Sequence, residues 1–325
     1  MKQVLTIILL SVISVGVGYL LRTKTHDFEI QTASLETIQI PDVPRFDLPK
    51  EVEPQKPTMT FSSKTLEQGD TLVVSVEHEE EVELQIQKQK IPRISVGPKK
   101  SIAIYGIDVR NKLGTLSVSL LHNNAVILEE SVKITKRNFP VTQLVLSDTQ
   151  VKAGVTPEQA ATEIVQNDNA KLYEVLEKPL PDIYIKSDFA YPLPAQIIVG
   201  GFGNIRKSGE TEIRHLGVDL DAKRGDPVYA IQDGVVRLAH NLSNYGNTIV
   251  VDHGASIFSM YLHLNSMDVQ EGERVEKGQI IGTVGNTGAY SLDPHLHLSI
   301  KVNGASVDPL RFIEAIQKII EVQPR

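Results

Sequence analysis

Cysteine and tryptophan are both absent from the 325 residues. Without cysteine there is no disulfide framework, no thiolate metal site, no cysteine nucleophile and no lipid-modified N-terminal cysteine. Basic charge is in deficit as well: 33 Lys and Arg stand against 40 Asp and Glu, for a formal net charge of −7. That balance gives no support for general nucleic-acid binding, which wants a basic face. What remains is ordinary, with 41% hydrophobic and 22% charged residues. A wholly disordered chain, a collagen-like chain and a multi-span membrane protein are excluded on those grounds. At about 150 residues per domain, the length suits two domains plus connecting or targeting sequence.

Charge is also missing from Val4–Leu21, between Lys2 and Arg22. As a helix this run would rise about 27 Å, close to the hydrocarbon thickness of a bilayer. Residues 1–22 are therefore expected to be a membrane helix, an uncleaved anchor; Gly16-Val17-Gly18 is a poor cleavage exit, and a cleaved signal is the alternative. Either one exports the rest of the chain. The positive charges flanking the run are nearly balanced, so orientation rests on the downstream chemistry. Pro41, Pro44, Pro49, Pro54 and Pro57 then punctuate an extended linker over residues 23–57.

From 58 to 136 the apolar residues alternate: Leu72, Val74 and Val76; Val82, Leu84 and Ile86; Leu116, Val118 and Leu120; then Val126, Leu128, Val132 and Ile134. With Asn123-Asn124 as one turn, this pattern predicts a small antiparallel β-sandwich, immunoglobulin-like, with no catalytic cluster. His78 and His122 are isolated there and read as surface residues. A connector over 137–186 should contain a helix. Thr156-Pro157-Glu158-Gln159 supplies a cap, a first-turn proline and a capping-box Gln ahead of apolar Ala161, Ile164, Val165, Leu172 and Val175.

Six of the nine histidines lie between His215 and His297. Four of them fall in three clusters, His215-Leu216-Gly217-Val218-Asp219, Tyr261-Leu262-His263-Leu264 and Pro294-His295-Leu296-His297-Leu298. In each, polar residues alternate with Leu or Val, as on a pleated strand. His215 and Asp219 would then share one face, and so would His295 and His297. Packing gives no reason for five such residues in alternating strands. Histidine and carboxylate are the natural ligands for a borderline metal when thiolates are missing, and three of them plus water make the usual open catalytic zinc arrangement. His253 and His240, outside these clusters, read as a turn residue and a surface residue.

The segment from Phe202 to Phe312 resembles the lysostaphin-like (LytM-type) zinc metallopeptidases, which cut peptide bonds in bacterial peptidoglycan. The likeness is carried by Phe202-Gly203-Asn204-Ile205-Arg206, by His215-Leu216-Gly217-Val218-Asp219, by Gly225-Asp226-Pro227-Val228 and by the run from Tyr245 to Gly254. Tyr261-Leu262-His263-Leu264, Val275 to Gly282 and Pro294-His295-Leu296-His297 complete it. One departure is visible: Leu292-Asp293 stands where the family usually has Thr-Gly. The resemblance implies an antiparallel β metallopeptidase domain over 187–325, one Zn2+ held by His215, Asp219 and His297, and two assisting catalytic histidines, His263 and His295. It leaves open which of those two is the general base. It also implies an extracytoplasmic place in the cell envelope, with peptidoglycan peptides as substrate and the membrane as a partner. A non-catalytic wall-binding or regulatory relative, and a peptidase acting on exported proteins, are the other readings. Asp308-Pro309 should start a short C-terminal helix, Leu310–Val322, whose Phe312, Ile313, Ile316 and Ile320 pack on the sheet.

Overall fold

A computed structural model describes residues 56–78, 81–143, 151–163, 168–208, 210–288 and 293–321. The apolar run Val4–Leu21 and all but the last two residues of the proline-rich linker lie outside these. Among the described residues no helix is long and apolar enough to cross a membrane. The architecture is mainly β and largely antiparallel, with few helices.

The alternation seen in the first region becomes two sheets. One orders Thr58–Phe61, Thr71–Glu77, Lys100–Gly106 and Ile94–Gly97; the other orders Thr65–Glu67, Ala125–Thr135, Gly114–His122, Glu83–Ile86 and Gln89–Lys90. Leu72, Val74 and Val76 share one buried core with Leu84, Ile86, Val118, Leu120, Val132 and Ile134. Val73, Ile102 and Ile104 point the other way, into a second core. The strand Thr71–Glu77 is thus buried on both faces, which is why its sequence is almost continuously apolar.

That second core belongs to an eight-stranded sheet. Its main path runs Ile198–Gly200, Val218–Asp221, His295–Val302, Ile257–Leu264, Gly246–Asp252, Gly234–Leu242 and Arg274–Val275; Ala305–Val307 pairs with the 295–302 strand. Every strand pair in it is antiparallel. Among the described residues the helices α1 (Pro157–Glu163), α2 (Asn169–Leu176) and α3 (Pro309–Glu321) accompany the sheets. Asp308 Oδ1 accepts the Leu310 N–H at 3.2 Å at the start of α3. Phe312, Ile313 and Ile316 are buried in the core on one face of the large sheet. The other face is covered at one end by Leu172 of α2, against Leu238, Leu242, Val250, Phe258, Met260 and Leu262. At the opposite end of that face stand Asp219 and His297.

The capping box expected ahead of α1 is made. Thr156 N–H donates to Gln159 Oε1 at 2.8 Å, and Gln159 N–H to Thr156 Oγ1 at 3.2 Å. The helix expected over the connector is seen as α1 and α2, with residues 164–167 between them outside the described set.

Candidate metal centre

Cross-strand pairing builds the centre. Asp219 and His297 are direct partners between the 218–221 and 295–302 strands, so their side chains rise on the same face, while Val218, Leu220, Leu296 and Leu298 fill the core behind. His215 does not share that strand, contrary to the regular alternation expected for 215–219. It lies where the chain leaves the hairpin Ile205–Ser208/Thr211–Arg214 for the large sheet: its N–H donates to the Asn204 carbonyl, and its own carbonyl accepts from Gly203. Gly217 makes the crossover possible. A Cβ there would lie 2.4 Å from the Leu298 carbonyl oxygen and 2.4 Å from His297 Nε2.

His263 departs from the alternation too, for a different reason. With Leu262 opposite His297, a regular strand would put His263 in the core beside Tyr261. The register slips between Asn247 and Ile249, and His263 adopts φ +64°. This bulge turns its ring onto the His297 face and returns Leu264 to the core. The His263 ring centroid comes to 5.0 Å from that of His295 and 5.9 Å from that of His297.

One ligand atom from each of His215, Asp219 and His297 falls within 4.8 Å of the others. Hydrogen bonds on the far side of each ring say what these atoms carry. His215 Nδ1 lies 2.8 Å from the Gly201 carbonyl, which can only accept, so Nδ1 holds the proton and Nε2 presents its lone pair. Ser299 Oγ donates its one proton to the Leu216 carbonyl at 3.0 Å. It must therefore accept from His297 Nε2 at 2.8 Å, leaving the lone pair on His297 Nδ1. In the neutral rings, both lone pairs face Asp219 Oδ1, at 3.0 and 2.8 Å. Three electron-rich atoms converging without a proton of their own suit a cation, and two imidazoles with one carboxylate suit zinc.

Burial pushes the Asp219 carboxyl up; when the His215 and His297 rings are protonated toward it, their hydrogen bonds and charge outweigh this and hold it well below the usual carboxylate range. Its Oδ2 faces Arg206 Nη2 at 3.5 Å. Burial lowers the His297 imidazole against the pull of Asp219, and brings His263 down to about 3, helped by the nearby His297 and His295 rings. His263 Nδ1 donates to the Thr287 carbonyl at 2.9 Å and His295 Nδ1 to the Asp293 carbonyl at 2.8 Å. Both rings, when neutral, thus offer a free Nε2 lone pair; that of His295 lies 3.7 Å from Asp219 Oδ1. Asp293 belongs to the departure from the family pattern; its neighbour Leu292 lies outside the described residues.

The other histidines stand elsewhere. His253 is fully buried, with Nδ1 on the Asp233 carbonyl and Nε2 on Ser259 Oγ, both at 2.8 Å. His240 Nε2 meets Lys171 Nζ on the surface. Sequence reasoning missed Ser299, although the spacing 295, 297, 299 already placed it on the ligand face. It had no means of finding Gly201, Thr287 and Asp293, which act through backbone carbonyls.

Residues 213–309 match the sequence profile of peptidase family M23. The lipoprotein NlpD of Yersinia enterocolitica is 42% identical over 96 residues, which are 29% of this chain and 97% of that protein. The chain belongs to peptidase family M23. The peptidoglycan DD-endopeptidase ShyA of Vibrio cholerae is 40% identical over 97 residues, 30% of this chain and 22% of that protein. This M23 chain therefore spans about a fifth of the length of that relative. A solved structure of a putative M23 peptidase from Pseudomonas aeruginosa shares the fold at TM-score 0.52 and 23% identity, covering 75% of this chain and 94% of the other.

Proposed function

We propose that the chain is a zinc-dependent endopeptidase that hydrolyses peptide bonds in bacterial peptidoglycan stems or cross-bridges and so remodels the wall. The observation that carries this reading is the convergence of three lone-pair atoms on one point, with two more imidazole Nε2 atoms beside it. In this reading His215 Nε2, Asp219 Oδ1 and His297 Nδ1 hold one Zn2+. Bound zinc supplies Lewis-acid chemistry at a carbonyl and a nucleophile from water near neutral pH.

The chain's own groups do the rest. His263 and His295, each pinned at Nδ1 by a backbone carbonyl, have Nε2 free to take a proton and to return it to the leaving amine. Protonated imidazole also supports developing negative charge on the carbonyl oxygen. Ser299 and Gly201 hold the ligand tautomers. Peptidoglycan as substrate is supported by the family and by the named activity of the Vibrio relative.

The organisation that fits is an anchor or signal over 1–22 and a proline-rich spacer over 23–57. An accessory β-sandwich over 58–136, a connector over 137–186 and the peptidase over 187–325 follow. The body would stand outside the cytoplasm, in the cell envelope, where peptidoglycan lies. The test is digestion of purified peptidoglycan by residues 24–325, with and without a chelator, and mass analysis of the products. New peptide termini that disappear with chelator are expected. Binding to the wall without cleavage would favour the non-catalytic reading, and cleavage of exported proteins alone would favour the third.

A further inference from the structure

The helical connector has no task in the function proposed above, yet it carries a buried carboxylate aimed away from its own helix. Asp168 directly precedes α2 and is 2% exposed. Its side chain makes no cap to α2, and it has no ion pair among the described residues. Its oxygens instead accept three consecutive backbone N–H groups of the loop between two strands of the large sheet. Ser243 donates to Oδ1 at 3.2 Å; Asn244 and Tyr245 donate to Oδ2 at 2.6 and 3.3 Å. The adjoining Asn169 Oδ1 accepts the Tyr245 hydroxyl at 2.9 Å.

From that loop the contacts lead to His263. The Tyr245 carbonyl accepts the His263 N–H at 3.0 Å. Gly246, at φ +66°, lies so close to Thr287 that a Cβ would stand 2.3 Å from Thr287 Oγ1. Asn247 N–H donates to that Oγ1 at 2.9 Å, which in turn donates to the Leu264 carbonyl at 2.9 Å. The Thr287 carbonyl then takes the proton of His263 Nδ1. His263 itself sits in a left-handed backbone conformation, which a non-glycine residue holds only when its surroundings impose it.

We propose that Asp168 is a positioning residue: by gathering Ser243–Tyr245 it holds both the backbone of His263 and the Thr287 carbonyl that orients its ring toward the metal centre. The functional part of this inference rests on the catalytic reading of His263. It makes α2 part of the apparatus of the site rather than a spacer.

The test uses the full chain in detergent, zinc-loaded, with Asp168→Ala and Asp168→Asn. Asparagine keeps one acceptor oxygen and turns the other toward the loop as a donor, so its effect is the smaller. Zinc should stay bound, KM on purified dimeric muropeptides should change little, and kcat should fall roughly 10- to 100-fold in the alanine variant, the range seen when outer-shell support is lost. In 15N-histidine NMR spectra the His263 Nδ1–H signal should shift or split while that of His253 stays. Wild-type kcat with an unchanged His263 signal overturns the proposal. A loss of activity that only tracks loss of folded or zinc-loaded protein, with the His263 signal unchanged, overturns it too. His263→Ala runs alongside: wild-type turnover there would refute the catalytic reading and leave the ring signal as sole judge of the link, a change supporting it and no change overturning it.

Discussion

Each histidine is told apart by where its two nitrogens go. In the candidate centre every ring spends one nitrogen on a protein oxygen and turns the other to the metal position or the substrate side. Substituting His215, Asp219 or His297 by alanine should therefore remove both zinc and activity. His263→Ala and His295→Ala should keep zinc, measured as bound metal per chain, and lose about 10²- to 10⁴-fold in turnover, the scale of acid–base assistance. Loss of zinc in either of the last two would mean that a ligand has been misassigned. His253, with both nitrogens bonded inside the core, makes a different prediction. Burial pushes it down to about 4 from its ordinary 6.5, so the native ring stays neutral over a range in which the unfolded one is protonated. The unfolded state then binds more protons between those values, and stability falls as pH drops from about 6.5 to about 4. At 1.36 kcal/mol per pH unit the full loss is about 3 kcal/mol. Urea unfolding of wild type and His253→Gln at a series of pH values should show the variant less pH-dependent across that window; parallel curves would refute the assignment.

At the scale of elements, the centre depends on strands approaching more closely than side chains normally allow. Gly200 lies beside Asp219 in the neighbouring strand, and a Cβ on it would stand 2.2 Å from Asp219 Oδ2. The carboxylate can swing away from such a methyl, so Gly200→Ala should fold. It should then bind zinc roughly 10- to 100-fold more weakly, as when the groups that orient a ligand are disturbed. Competition with a chromophoric chelator measures this, and unchanged affinity would show that Oδ2 is not held by the close approach. The same geometry explains what was legible in the chain. Asp219, His295 and His297 could be read because period-two alternation puts them on one face opposite a leucine and valine core. The bulge at His263 could not, because one extra residue in a strand is defined only against its partner, here at Thr248. The crossover at His215 was hidden likewise, since it depends on a carbonyl of a strand eighty residues away. Asp168 gave no signal, because an aspartate ahead of a helix reads as a cap and this one serves a distant loop.

At the scale of the whole chain, the sequence separates an alternating β region from the histidine-bearing one, but Glu53–Arg325 forms one compact unit. The strands Thr71–Glu77 and Lys100–Gly106 are the shared layer: Val73, Ile102 and Ile104 lie in the same core as Leu298, Phe312 and Ile316. Polar contacts close the seam. The Asp308 N–H donates to the Gly69 carbonyl at 2.8 Å and the Ser306 N–H to Asp108 Oδ2 at 2.9 Å. Arg137 pairs with Asp308, and Arg311 with Asp70, each at 2.8 Å. Gly106 sits at a tight point of the seam, where a Cβ would lie 2.8 Å from the Val302 carbonyl oxygen. Separating the two regions would expose isoleucines on one side and α3 on the other, so neither should unfold alone. Calorimetry of the metal-free protein should show one transition whose calorimetric and van't Hoff enthalpies agree, and in the zinc-loaded protein zinc release should come at the same temperature as loss of the β signal. Gly106→Val tests the seam directly, because the obstacle is backbone and cannot rotate aside. It should cost about 1–3 kcal/mol, the usual range for overpacking. The whole transition should then move down by roughly 2–4 °C for each kcal/mol, as expected for a body of this size. If instead the variant splits the melt in two, with the metal-bearing half unmoved, the two regions are independent modules joined by contact alone.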